Sequence, residues 1–299
     1  MRMDLVAMAT YLIGVLTVTG IYLIAILGVS ILTGFTGLFS MGHAGFMAIG
    51  AYVSALVVKS TGLPISMGLV CGTIAATLVG ILIGYPTLRL KGDYFVIATL
   101  GVGESMKLLV ENLTITGGAR GLNGVAGGTN VFLVWGLVII IVFLLVNFLR
   151  SKQGRNCVAV REEELAAAAV GVNMTNYKML GMAISCALCG LAGALLAHYM
   201  KYLHPSMFTM AKSNELIMTV ILGGRGSLTG TILAALILVP LPEMLRFEGF
   251  QAWRMVIYGL LVVVVIVFKP SGLLGTNELR WSQIKALVDR LKRGGKNRG

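Results

Sequence analysis

Glu104 and Lys107 stand three residues apart inside an apolar run, Tyr94 to Leu113, that also carries Glu111. Three residues along a helix put the first two on one face, where they pair with each other or look into a cavity. A carboxylate in apolar surroundings is costly unless it is neutralised or wet. Glu104 is therefore a candidate to bind a passing ammonium group or to line a passage; pairing with Lys107 is the alternative, and both readings stand. His43 sits in LTGFTGLFSMGHAGF, a stretch dense in glycine (Gly34, Gly37, Gly42, Gly45). With no second ligand beside it, His43 reads as a hydrogen-bonded structural residue capping backbone freed by the glycines, ahead of a metal or proton site. A third group is the polar run from Arg150 to Lys178, with Arg150, Lys152, Arg155, Arg161 and Lys178 around the acidic cluster Glu162, Glu163 and Glu164. Its chemistry is that of docking against a partner. No residue presents itself as catalytic, and no metal or cofactor ligand set is expected. Cys71, Cys157, Cys186 and Cys189 have no disulfide framework and read as small core residues.

The elements that position these groups are narrowly bounded by composition. The chain has 299 residues, 57% of them hydrophobic and only 12% charged, and its mean hydropathy is +0.89. No soluble core absorbs that much apolar surface. The apolar runs are long enough to cross a hydrocarbon layer of ~30 Å at ~1.5 Å per residue. The expectation is an all-α, polytopic transmembrane protein of about eight to ten spans. Its 39 glycines then serve close helix packing and breaks in protein-lined cavities. The formal charge of +12 fits cationic anchors at span ends and contact with membrane lipid. Without interleaved aromatics it does not point to nucleic acid. Met1 to Asp4 lacks a basic region and the run after it a small-residue cleavage site, so the first helix is expected to be retained.

In chain order the spacing predicts spans at Tyr11–Leu32, Phe46–Val58, Ile65–Leu88, Tyr94–Leu113, Val131–Leu149 and Met179–Met200. A half-length run follows at Leu216–Leu222, then Leu228–Leu245 and a last span, Trp253–Phe268. Arg89 and Lys91 place the end of the third span in the cytoplasm, and alternation puts Thr114–Gly128 outside. The break around Ser40, Gly42, His43 and Gly45 has too few polar groups for a solvated loop, so it is expected to line a translocation path. The interruption at Gly223 and Gly224 in the second half echoes it, as an internal repeat would. Residues 1–268 form a transmembrane domain. Residues 269–299 form a basic amphipathic cytoplasmic tail suited to the inner membrane surface or a partner.

Within the polar segment, Glu162–Glu164 followed by Leu165 and four alanines predicts one short cytoplasmic helix from Glu162 to Gly171, with acid at its positive end and glycine as its stop. Ala167 and Ala168 belong to a face without bulk that another protein's backbone can approach, and Arg161 and the glutamates offer charged contacts at its rim. A solvated helix without a partner is the alternative.

GRNCVAVREEELAAAAVGVNMTNYK resembles a segment of the LivM-type permeases, membrane subunits of branched-chain amino acid ABC importers. GFTGLFSMGHAGFMAIGAY, KGDYFVIATLGVGESMKLLVEN with TGGARGLNGV, SNELIMTVILGGRGSLTG and FKPSGLLG are similar to further motifs of that family in the same order. The resemblance implies broken helices in an architecture related to the vitamin B12 type of importer. It also implies a LivH-type second permease, two cytoplasmic ATPases, and a periplasmic or lipid-anchored binding protein, all at a bacterial inner membrane. Residues 155–173 would be the coupling helix, with Arg155, Arg161, Glu162, Glu163, Glu164, Ala167, Ala168 and Gly171 at the ATPase. Candidates for the path are Ser40, Gly42, His43, Gly45, Glu104, Gly117, Gly118, Gly223 and Gly224. The chain has no G-x-x-x-x-G-K-[ST] loop, so ATP and Mg are expected in the partners and the chain itself is expected to be no enzyme and to carry no cofactor. Arg225 and a missing proline after the T-G-G block depart from the family pattern. Arg225 reads as a topology anchor; Glu215, similar to a family position, reads as a solvated end residue. Rival functions are a urea or short-amide permease of the same family, an ion-driven transporter with Glu104 as relay, and a passive channel.

Overall fold

The structure, a computed structural model, describes residues 2–244 and, beyond them, 259, 260, 263, 267–269, 272 and 275. The expected last span and basic tail fall almost entirely outside the described residues.

Apolar runs without water partners must satisfy their own backbone, and they do so as helices. These are α1 (Arg2–Val29), α2 (His43–Thr61), α3 (Ile65–Thr87), α4 (Asp93–Asn112), α5 (Val131–Arg150), α6 (Lys152–Glu162), α7 (Glu164–Ala169), α8 (Met174–Met200), α9 (Met210–Gly223), α10 (Leu228–Leu238) and α11 (Leu241–Met244). Five stretches are long and apolar enough to cross a membrane: Thr10–Phe35, His43–Thr61, Ile65–Thr87, Val131–Arg150 and Met174–Met200. α4 is of comparable length but carries Asp93, Glu104, Lys107 and Glu111.

The first span does not stop at Leu32. It continues as a buried π-helical turn, Ser30–Phe35, which takes Gly34 into the helix. The polar segment also ends early, because Asn173 caps α8, accepting from the Asn176 N–H at 3.2 Å, and Lys178 lies on that helix. One element falls outside the all-α expectation: the two-residue strands β1 (Leu122–Asn123) and β2 (Tyr202–Leu203) pair antiparallel, Leu122 opposite Leu203.

α2, α3 and α8 make the centre, and glycine lets their backbones touch. A β-carbon on Gly50 would collide with the backbone of Gly190, and one on Gly193 with that of Met47. His43 reaches Ser185 at 3.1 Å and Ser54 reaches His198 at 2.9 Å. These contacts advance together along both chains, so α2 and α8 run in parallel. Thr36 meets Gly181 while Gly28 meets Ser185, so α1 runs antiparallel to α8. At the end where α8 finishes, His198 Nδ1 donates to the Ala126 carbonyl at 2.7 Å and Lys59 Nζ to the Asn123 carbonyl at 2.9 Å, closing the long loop over the bundle.

Candidate functional site

Two helices begin at one junction, α2 on buried residues and α9 on the exposed Met210 and Ala211. α2 starts at His43, whose imidazole bonds Ser185 near the middle of the 27-residue α8. α9 starts beside it: the Ala44 N–H donates to Ser213 Oγ at 2.9 Å. From this junction α2 runs to the end that carries β1, where Lys59 sits. α9 runs the opposite way, to a turn at Gly224–Gly226 beside α6. Their N-termini, each the positive end of a helix dipole, therefore meet beside the buried Ser213.

Glu104 closes this junction from α4. Its Oε1 accepts from the Met210 N–H at 3.1 Å, the first residue of α9, and its Oε2 lies 3.5 Å from Lys107 Nζ. The pairing with Lys107 is present, and a second partner that the sequence did not suggest is added to it. Gly42 and Gly45 lie directly on α4: a β-carbon on Gly42 would come within 2.5 Å of the Thr99 carbonyl, and one on Gly45 within 2.8 Å of Gly103. Ser40 is fully buried, and the Met41 N–H beside it donates to Thr99 Oγ1 at 3.1 Å. The glycines here are required by close approach. His43 is hydrogen-bonded as expected, to a hydroxyl on α8, and so joins two helices; the Ala44 and Met41 N–H groups are taken by Ser213 and Thr99.

A second cluster lies at the other end of α9. In the π-helical turn the Leu38 N–H reaches back to the Leu32 carbonyl, leaving the Gly34 carbonyl without a partner inside its own helix. Arg161 Nη1 donates to it at 2.6 Å. The stem of Arg161 lies on Gly37 and its guanidinium on Gly226, while Gly34 itself faces the Gly226 amide. Glu162 accepts from Arg161 Nε at 3.0 Å and also from Nη2. One side chain of the polar segment thus touches both glycine-rich breaks. Gly223 packs on Gly230 and Thr231 of α10, and Gly224 against Gly275.

The single helix expected from Glu162 to Gly171 is instead two. Ser151 caps α6, accepting from the Gly154 N–H at 3.3 Å, and the chain breaks at Glu163, which is extended at φ −153°, ψ 108°. α6 is held down by the buried Cys157 and Val160 and by Asn156 Nδ2 donating to Tyr177 Oη at 2.7 Å, so Arg161 points inward. Only Glu164 stands in a first turn, where it takes Lys178 Nζ at 2.5 Å. Glu162 ends α6 at the unfavourable pole and is offset by Arg161. Gly171 stops α7 as expected, at φ +81°, with Val172 N–H to Ala167 O and Gly171 N–H to Ala168 O, both at 3.0 Å. Ala167 is only 3% exposed and faces the protein; the outward face is Leu165, Ala166, Ala168, Ala169 and Val170, with Leu165 and Val170 78% and 79% exposed. Arg155 is exposed on α6 and bonds the Arg150 carbonyl at 2.7 Å. A cleft of about 520 Å³ separates α7 and the start of α8 from the α3–α4 turn, with Arg89, Lys91, Asp93, Glu164 and Lys178 in its walls.

Gly117 and Gly118 are not brought to either cluster. They lie in the loop after α4, against Gly121 and the Glu111 carbonyl. Glu215 is not an end residue: it sits in the second turn of α9 and pairs with Lys212 at 2.7 Å. Arg225 is exposed on its turn. Sequence reasoning passed over His198, Ser213 and Thr99, whose partners are 58 to 169 residues away along the chain. Burial pushes the Cys157 thiol up to about 11. Among the described residues no group of three or more His, Cys, Asp or Glu is placed to hold a metal.

Membrane-length helices and two helices that start at one junction between them define a polytopic membrane protein of the permease class. The family described as "Branched-chain amino acid transport system / permease component" matches residues 11–266, and the chain belongs to it. It is 34% identical over 297 residues to the high-affinity branched-chain amino acid transport system permease protein LivM of Salmonella typhimurium, covering 88% of this chain and 69% of that protein. The figures for LivM of Escherichia coli are the same. The LivH permease protein of Salmonella typhimurium is 24% identical over 294 residues, covering 88% of this chain and 94% of LivH. No solved structure matches.

Proposed function

We propose that this chain is a permease subunit of an ABC importer that moves branched-chain amino acids across a bacterial inner membrane. Two cytoplasmic ATPases holding ATP and Mg drive it through residues 155–173, and the chain itself performs no catalysis. It works beside a LivH-type second permease and receives solute from a periplasmic or lipid-anchored binding protein. The substrate class rests on the family and its LivM and LivH relatives. The architecture is of the vitamin B12 importer type, with about eight to ten spans. The α6–α7 end is the cytoplasmic one, a reading supported by Arg89, Lys91, Arg150, Lys152 and Arg155 all lying there.

The observation that carries the mechanism is Arg161. A force applied to α7 reaches α6 through one extended residue, Glu163, and α6 grips both glycine breaks through Arg161. Bistable packing, not elastic bending, is how such a displacement is transmitted. The family and its LivM and LivH relatives weigh against the ion-driven rival with Glu104 as relay.

The test uses the outward face of α7. The double variant Leu165→Arg, Ala168→Arg should assemble in the membrane with the second permease yet lose ATP-driven leucine uptake. Wild-type uptake from that variant overturns the docking assignment.

A further inference from the structure

We propose that Glu104 is the residue that takes the ammonium group of the solute in transit, and that its bond to the Met210 N–H is the latch this ammonium releases. The proposal rests on the importer reading above and adds to it a residue and a required chemistry, a protonated amine.

Glu104 stands inside an apolar helix, where a carboxylate persists only if paired or hydrated. Its present partners are weak ones. One is a neutral peptide N–H at 3.1 Å, the other an ammonium at 3.5 Å, long for a charge-assisted bond. A carboxylate offers about four acceptor positions, so capacity is left. Its side chain is 34% exposed, and its neighbours on the open face of α4 are the small, exposed Gly101 and Ser105, with the exposed Leu108 a turn further on. A partly exposed carboxylate inside an apolar helix is tolerated only against a polar partner or a water-filled path.

A solute ammonium brings full charge and three donors, and charge-assisted bonds are roughly twice as strong as neutral ones. It therefore displaces the Met210 N–H. Met210 is the first residue of α9, and the other end of α9 is the turn that Arg161 holds. Occupancy at Glu104 consequently releases one of the hydrogen bonds, beside that of Ala44 N–H to Ser213, that hold the first turn of the helix whose opposite end is tied to the docking segment. Urea and short amides carry no cation and would leave the latch shut, so the same carboxylate discriminates between the two substrate classes.

The experiment uses the assembled importer, with both permeases, both ATPases and the binding protein, in proteoliposomes with leucine. Glu104→Gln should lower maximal uptake by about tenfold or more, Glu104→Asp should retain part of it, and Glu104→Gln with Lys107→Gln should stay low. Rescue in the double variant means that Glu104 only neutralises Lys107, which overturns the proposal, as does wild-type uptake from Glu104→Gln. Met210→Pro is the second arm. Proline suits the first helical position, and Thr209 before it is already extended at φ −84°, ψ 164°, so the variant removes the latch N–H, together with the Met210 side chain, without breaking the helix start. It should raise ATP hydrolysis without leucine by about threefold or more, as an opened latch requires. Unchanged hydrolysis overturns the proposal even where Glu104→Gln fails to assemble. Wild-type vesicles that take up no leucine bring down the importer reading itself, a result distinct from either variant's.

Discussion

Arg161 donates to the main-chain oxygen of Gly34 at 2.6 Å across 127 residues of chain. The acceptor is a carbonyl that the π-helical turn has released from its own ladder, and π turns of this kind recur at functional positions. Removing the guanidinium with Arg161→Ala leaves that buried oxygen unpaired. The expected cost is about 1.5–3 kcal/mol, read as a lower unfolding midpoint in detergent. Uptake should fall further than ATP hydrolysis does. Arg161→Lys keeps the charge but loses the planar fork and should fall between wild type and alanine in both readings.

The α2–α8 contact predicts a packing effect. In Gly50→Ala the new methyl meets the Gly190 backbone, which has no rotamer to give. Overpacking of this kind costs about 1–3 kcal/mol. Gly101→Ala, where a β-carbon meets nothing within 4 Å, is the control and should hold or slightly raise the unfolding midpoint, since alanine is the better helix former.

Ser54 and His198 form a buried pair at 2.9 Å, and the other imidazole nitrogen holds the Ala126 carbonyl. Ser54→Ala leaves the Nε2 position unpaired inside the bundle and should cost about 1–3 kcal/mol. Protease sensitivity in the loop before Val131 should rise with it, because His198 ties that loop down.

Cys157, raised to about 11 by burial, is almost wholly thiol at neutral pH. Alkylation by iodoacetamide should be slow at pH 7 and accelerate with each pH unit up to that value, since the thiolate is the nucleophile. Because the folded state holds the proton more tightly than the unfolded one, this group's contribution to stability is present below the ordinary thiol range and declines as pH rises toward 11. Rapid labelling at pH 7 would contradict the burial of α6 against α8.

The span edges were legible where composition changes abruptly. Pro64 and Arg89 bracket an apolar run, and the helix between them, Ile65–Thr87, differs from the expected span by one residue. The break at Gly34–Gly45 was legible as a break because glycine is dense and polar groups are few. What each glycine touches was not, since Gly42 on Thr99 and Gly34 on Gly226 are tertiary contacts with no local signature. The run EEELAAAA reads as one helix on propensity alone. It is divided at Glu163 because α6 is anchored by Cys157, Val160 and Arg161 to groups distant in sequence. For the same reason His43 was legible as structural and its partner Ser185 was not. Glu104 showed as a candidate because charge inside an apolar run is conspicuous; that it meets the first residue of α9 follows only from folding.

The main-chain contact between α2 and α8 has a mechanical corollary. Helices that touch through long side chains can slide by exchanging rotamers. Helices that touch backbone to backbone, as Gly50 does on Gly190 and Gly193 on Met47, must separate before they can shift, and interiors of protein density resist that. α2 and α8, with α3 beside them, accordingly behave as a stator. The pieces tied in through exchangeable side-chain hydrogen bonds are the rotor: α9 through Glu104 and Ser213, and α6 through Arg161 and Asn156. A cross-link within the α2, α3 and α8 trio should be mechanically silent, whereas any tether across those hydrogen bonds should stall the machine.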